Sequence, residues 1–422
     1  MFRRIGQEIR QGRTLLMFGF LKGTGQALGM LAPLVVAKLF SSEALFGSYS
    51  LAKMVVFFFG ALLISSCQTP FVVFANQERA ETGRINKAFT VQLAFLVFSL
   101  CAFVAIGLLF HDSIAHFAKI SSVDVVFMVL AFIGIAFKAF VCNLFMAMGQ
   151  RLKNALAELV FGGLTVFFIF MFYFAGEITL RTVFLVYLLS AVCLVLIFVW
   201  TVDFGRLLPL KLDGKYFRKM FAFTRWVMFG ATAVYFINWG DLAVLRHYKS
   251  LGVIGSYNLG YQVFKGLTMM TFMINTYFLP FVSQHIDDAA AIRNYLYNKR
   301  PKILLLGGAV LGTAFVVVPY IFKAIYGGSY PGAVTVMRIL FIGSAMILYV
   351  IFYSPIFNAL KLYRFIQITS FIQVVLNLVL DVLLVPRMGM YGAAVATVLA
   401  YLCKAIMYEL YFRIRLKPRI DL

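Results

Sequence analysis

Apolar residues in this chain gather into long runs separated by short polar breaks. Twelve runs are long enough to span a bilayer as helices, at about 14–38, 45–67, 87–110, 122–148, 153–175, 180–202, 222–245, 254–281, 301–326, 333–358, 363–385 and 390–414. About 20 apolar residues rising 1.5 Å each cross ~30 Å of hydrocarbon. None of the runs shows the ten-residue alternation of a membrane β-barrel. One polar break stands apart, the basic stretch Asp203 to Arg225, with Arg206, Lys211, Lys215, Arg218, Lys219 and Arg225. Six runs precede it and six follow. Gly47-Ser48-Tyr49 and Gly255-Ser256-Tyr257 stand 208 residues apart, close to half the chain. The pattern predicts an all-α polytopic membrane protein. Its organisation is expected to be a six-helix lobe at 1–205, a cytoplasmic connector at 206–221 and a second six-helix lobe at 222–422, pseudo-symmetric about a central cavity.

Composition agrees with the pattern. Of 422 residues, 63% are hydrophobic and 13% charged, against about 45–50% and about 25% in soluble domains. The net charge of +22 has two readings, nucleic-acid binding or membrane topology. Topology accounts for it, because the cations sort by loop. With the N-terminus in the cytoplasm, 25 basic residues fall on that side, from Arg3, Arg4, Arg10 and Arg13 to Arg413, Arg415, Lys417 and Arg419, and seven on the other. That asymmetry predicts cytoplasmic termini and an even number of spans. The opening MFRRIGQEIRQGR lacks a small-residue cleavage site and reads as a cytoplasmic lead-in.

Several classes of chemistry are disfavoured. No GxxxxGK[ST] loop is present to hold ATP. Four scattered histidines offer no His-based or metal centre, and five cysteines form no CxxC pair. No cofactor is expected.

The informative residues are charges inside apolar runs: Lys22, Lys53, Lys138, Lys265, Arg338, Lys404, Asp241 and Asp381. A charge at mid-bilayer costs at least about 2.5–3.5 kcal/mol, so these side chains need a polar interior or a nearby span end. Lys22 shares a helical face with Gly19, Gln26, Gly29 and Pro33, and Lys265 shares one with Asn258, Gln262, Thr268 and Asn275. Lys53 lies with Tyr49, Ser50 and Gly60. These three are expected to line a cavity. Lys138 suits an ion pair or a substrate contact equally. Arg338 and Lys404 read as snorkelling, Asp381 as a packing or helix-end feature, and Glu158 as a partner for Lys153 or Arg151. Asp241 is expected either to pair with a cavity lysine or to carry a coupling proton or sodium ion. A cation-rich interior selects an anionic passenger.

Several stretches resemble the multidrug/oligosaccharidyl-lipid/polysaccharide flippase superfamily. Ala37 to Ala52 looks like its first-to-second helix turn, Tyr248 to Leu259 like the counterpart in the second half, and Leu376 to Thr397, with Gly389 and Gly392, like its eleventh-to-twelfth helix turn. Asn238 to Asp241 sits where these transporters often carry a polar residue. Twelve spans resemble the O-antigen or polysaccharide flippase branch. The resemblance implies alternating-access movement of an undecaprenyl-pyrophosphate-linked oligosaccharide across a bacterial inner membrane, with lysines holding the pyrophosphate and a polysaccharide polymerase as a possible partner. A drug/cation antiporter of the same superfamily would want an acidic cavity. A membrane polymerase or ligase would want larger outer loops. A structural scaffold would not explain the polar stripes around Lys22 and Lys265.

Overall fold

A computed structural model describes residues 2–417. Side chains are described except at 2–16 and at 270, 272, 273 and 276. The side chains of Arg3, Arg4, Arg10 and Arg13, and all of Arg419, therefore lie outside the described residues.

The described chain is helical throughout. The α-helices are α1 (Phe2–Leu39), α2 (Glu43–Phe59), α3 (Ser66–Thr82), α4 (Asn86–Leu109), α5 (His111–Ala118), α6 (Ser122–Ala147), α7 (Arg151–Phe174), α8 (Leu180–Phe198), α9 (Gly214–Tyr248), α10 (Leu251–Gln284), α11 (Ala289–Asn294), α12 (Arg300–Tyr326), α13 (Ala333–Val350), α14 (Tyr353–Ala359), α15 (Tyr363–Met388) and α16 (Met390–Tyr411). Among the described residues, eleven helical segments are long and apolar enough to cross a membrane. α10, with 34 residues, is a further long helix, part of which carries undescribed side chains. The protein is an all-α, multi-pass membrane protein.

Local departures from the expected spans have physical causes. A π-helical turn at Gly60–Ser65 joins α2 to α3 into one continuous 40-residue segment. The helix runs on through the polar Asn76-Gln77-Glu78-Arg79 because that end is held: Glu78 accepts the backbone N–H groups of Lys87 and Ala88 at 2.9 Å each, satisfying donors that the start of α4 leaves open. The expected span 333–358 is instead two helices, with the break two residues before Ser354-Pro355. Pro355 has no N–H to give to the Ile351 carbonyl four residues back, and its ring crowds that carbonyl.

Backbone contacts divide the chain into two compact units. Unit 1 comprises residues up to Ser41 together with Ser48–Tyr235, and unit 2 comprises Ser42–Gly47 with Phe236 onward. The boundary falls inside α9, and α2 changes unit after Gly47. Within each unit the same pairings recur: α6 packs on α4 and α8 in unit 1 as α13 packs on α12 and α16 in unit 2, and α7–α8 matches α15–α16.

The basic connector is not a free linker. Arg206 and Pro209 offer their carbonyls to Ile85 and Asn86, Lys211 donates to Thr90, and the Lys87 ammonium bonds Asp213 at 3.0 Å. Leu207 is buried in the core that Phe71, Phe145 and Leu194 build. The connector is thus bound along the start of α4.

Candidate functional site

In unit 1 the site is built where α1 crosses α7. Gly25 lets the helices meet, since a Cβ there would lie 2.6 Å from the Leu159 backbone nitrogen. Gly162 completes the crossing: its own Cβ would lie 2.9 Å from the Gly25 carbonyl oxygen. Small residues that allow such close backbone approach are how membrane helices gain packing energy. The crossing places Lys22, three residues before Gly25, against α7. Its ammonium donates to Asn154 Oδ1 at 3.3 Å and lies 5.5 Å from the Phe18 ring. Asn154 Nδ2 in turn donates to the Cys142 carbonyl at 2.7 Å. No carboxylate lies within ion-pair distance of Lys22 among the described residues.

Lys138, on α6, enters the same space and pairs with Glu158 of α7. The expected pairing of Glu158 with Lys153 or Arg151 is not what forms. Glu158 lies seven residues beyond Arg151, two turns along α7, on the face turned to α1 and α6, whereas Lys153 bonds the Thr201 carbonyl. Lys22, Lys138, Glu158, Asn154, Asn143, Gln68 and Thr69 line one cavity of about 340 Å³. Two ammonium groups face one carboxylate there, among neutral amides and a hydroxyl.

Lys53 occupies a different setting. It is buried, and its ammonium lies 5.4 to 5.8 Å from the rings of Tyr49, Phe57 and Tyr187. The hydroxyls of Tyr49 and Tyr187 bond each other at 2.9 Å, fixing two of the three rings. Ring faces carry negative potential and attract a desolvated cation.

In unit 2, Lys265 lies 4.0 Å from the Trp239 ring and 4.9 Å from that of Tyr261. The polar stripe expected beside it is partly turned on itself, with Gln262 donating to Asn258 at 3.1 Å and Thr268 to the Phe264 carbonyl at 2.8 Å.

Asp241 does not pair with a lysine. It is buried, and its Oδ2 accepts from the hydroxyls of Tyr257 and, at 2.8 Å, Thr397. Its other neighbour is Asp381, whose carboxyl reaches that of Asp241. Among the described residues, no donor reaches Asp241 Oδ1 or either oxygen of Asp381. Asn377, one turn earlier on α15, is buried on the same face. Two carboxylates side by side away from water cannot both stay ionised without a cation between them. A proton or an oxygen-seeking metal cation would meet that need.

Asp381, expected as a packing or helix-end feature, is buried beside Asp241, and its spacing of four from Asn377 and eight from Gln373 puts the three polar residues on one face of α15. Lys404 also departs from expectation. It does not snorkel but donates to Ser370 at 3.2 Å and Gln373 at 3.1 Å, because α15 offers acceptors one step away in the bundle. Arg338 is exposed near Phe315, as a snorkelling side chain should be.

No protein-family model matches the chain. A solved lipid II flippase MurJ in an inward closed conformation superposes with a TM-score of 0.77 at 14% identity, covering 94% of this chain and 87% of that one. An inward-facing multidrug resistance MATE family transporter of the MOP superfamily gives 0.70 at 14% identity, over 96% and 94%. A protein described as a probable low-salt glycan biosynthesis flippase of Haloferax volcanii is 25% identical over 211 residues. That match takes in 46% of this chain and 42% of the relative, less than half of each.

Proposed function

Because the chain has the fold of the multidrug/oligosaccharidyl-lipid/polysaccharide transporters, we propose that it is a flippase. Its passenger is an undecaprenyl-pyrophosphate-linked oligosaccharide, an O-antigen or other surface-polysaccharide repeat unit, carried from the cytoplasmic to the periplasmic leaflet of a bacterial inner membrane. The observation that carries this reading is the unit 1 cavity, where Lys22 and Lys138 face a space of about 340 Å³ whose one carboxylate, Glu158, pairs with Lys138. Such a site holds phosphate oxygens by charge and sugar hydroxyls through Asn143, Asn154, Gln68 and Thr69. Lys53 in unit 1 and Lys265 in unit 2 are further cations proposed to contact the passenger, each set by itself on aromatic rings of a kind that stacks on sugars.

The mechanism is alternating access, with both termini in the cytoplasm and the lipid tail left in the bilayer. Asp241 and Asp381 serve as the coupling-ion site, taking a proton or a sodium ion in one conformation and releasing it in the other. A polysaccharide polymerase is the expected downstream partner. The protein acts by transport, not by making or breaking covalent bonds.

A second reading draws on one observation, the buried carboxylate pair of unit 2. In a drug or organic-cation antiporter of the same superfamily such acids would attract the cargo. The two lysines of the unit 1 cavity oppose it. Reconstitution in liposomes with the lipid-linked oligosaccharide tests the choice. Protein-dependent passage to the opposite leaflet, lost in Lys22→Ala/Lys265→Ala, is expected. Expulsion of organic cations without movement of the lipid would select the antiporter.

A further inference from the structure

Lys22 and Lys138 meet the same cavity with different partners. Lys22 has a neutral one, the Asn154 amide. Lys138 has Glu158. This ion pair is not sealed in the core: Lys138 keeps 23% and Glu158 17% of its side-chain surface, and both line the cavity. Glu158 Oε1 takes the ammonium, and among the described residues no donor reaches its other oxygen. A pair built only to join α6 to α7 would be expected to lie sealed between the helices, whereas this one stays accessible from the cavity and so open to exchange.

We propose that Glu158 is the resident counter-ion of an anion subsite. It holds Lys138 while the cavity is empty and cedes it to a phosphate oxygen of the passenger, while Lys22 supplies the second contact. The inference rests on the flippase reading for the identity of the passenger. Its physical logic is exchange. An incoming anion that replaces Glu158 on Lys138 trades one ion pair for another, so the Lys138 ammonium keeps a counter-ion whether the cavity is empty or filled. The displaced carboxylate stays close and repels the anion, which keeps binding weak enough for release on the far side. Glu158 thus sets affinity rather than supplying it.

The test is isothermal titration of the full-length protein in nanodiscs with inorganic pyrophosphate, beside the liposome flipping assay. Glu158→Gln removes the competitor and should tighten pyrophosphate binding roughly tenfold, the effect of one unit charge a few ångströms away in a partly wet site. The gain should vanish in Lys138→Gln/Glu158→Gln. In flipping, Glu158→Gln should lower both KM and kcat. Equal or weaker pyrophosphate binding by folded Glu158→Gln overturns the proposal and leaves a structural pair. Should that variant not fold, Glu158→Asp, whose shorter carboxylate slackens the same pair, should shift affinity in the same direction by less, and no shift counts against it. If the wild type moves no pyrophosphate-linked lipid but Glu158→Gln binds pyrophosphate more tightly, the flippase reading fails and the counter-ion stands. If the wild type moves the lipid and the affinities match, the counter-ion alone fails.

Discussion

Asp241 and Asp381, on α9 and α15, hold their carboxyl groups against each other inside unit 2. Tyr257 and Thr397 steady the first, while the second has no hydroxyl or amide donor among the described residues. Such a pair needs a cation to neutralise it. Asp381→Asn should remove that need and uncouple transport from the ion gradient. Flipping in proteoliposomes under imposed proton or sodium gradients is expected to lose its gradient dependence, with protein level in the membrane unchanged. Retained dependence on either gradient would make the pair structural.

Lys265 lies over Trp239 and Tyr261, and its proposed contact with the passenger depends on its charge rather than on its packing. Lys265→Ala should cut the flipping rate about tenfold or more, on the scale of one charge-assisted hydrogen bond. The amount of protein extracted from the membrane should match the wild type. Wild-type transport at equal protein level would remove Lys265 from the site.

Gly25 allows α1 to touch the α7 backbone. Gly25→Val should push the helices apart, costing ~1–3 kcal/mol as other overpacking changes do. It should also displace Lys22 from Asn154. Thermal unfolding in detergent should show a lower midpoint, and Gly19→Ala, on the same helix with open space around it, should not.

The connector carries a pH-sensitive tether. The hydrogen bond from the Lys87 ammonium, with backbone donors from Tyr216 and Lys215, holds the Asp213 carboxyl below the ordinary carboxylate range. A group whose acidity is strengthened by folding contributes above its unfolded value, and the contribution is lost as pH falls through the folded one. Amide hydrogen-exchange protection over 203–213, corrected for the intrinsic pH dependence of exchange, should therefore be high at neutral pH and fall only in strong acid. In Asp213→Asn that protection should already be lower at neutral pH and should not change further in acid.

Much of this was legible from the chain alone. The all-α membrane class and the polar setting of Lys22 follow from run length and from side chains three and four apart, because a bilayer enforces both. What stayed hidden depends on contacts between distant segments. Lys138 shows only apolar neighbours along its own helix, and its partner Glu158 stands on the next one. Asp381 is followed closely by Pro386 and so read as a helix end, yet α15 continues to Met388 and buries it. The connector looked like a linker because it is basic and polar, and only the fold shows its backbone bonded to the start of α4.

The wide turn at Gly60–Ser65 has a consequence for length variation in this chain. A π-turn holds one residue more than an α-helical turn while leaving the flanking helices in phase. Loss of a single residue there would be absorbed as ordinary α-helix, with Tyr49 and Lys53 upstream and Phe71 downstream keeping their facings. The same loss at Ala52 would swing every later side chain by roughly 100°. Relatives of different length should therefore differ by one residue at this turn more readily than anywhere else along α2 and α3.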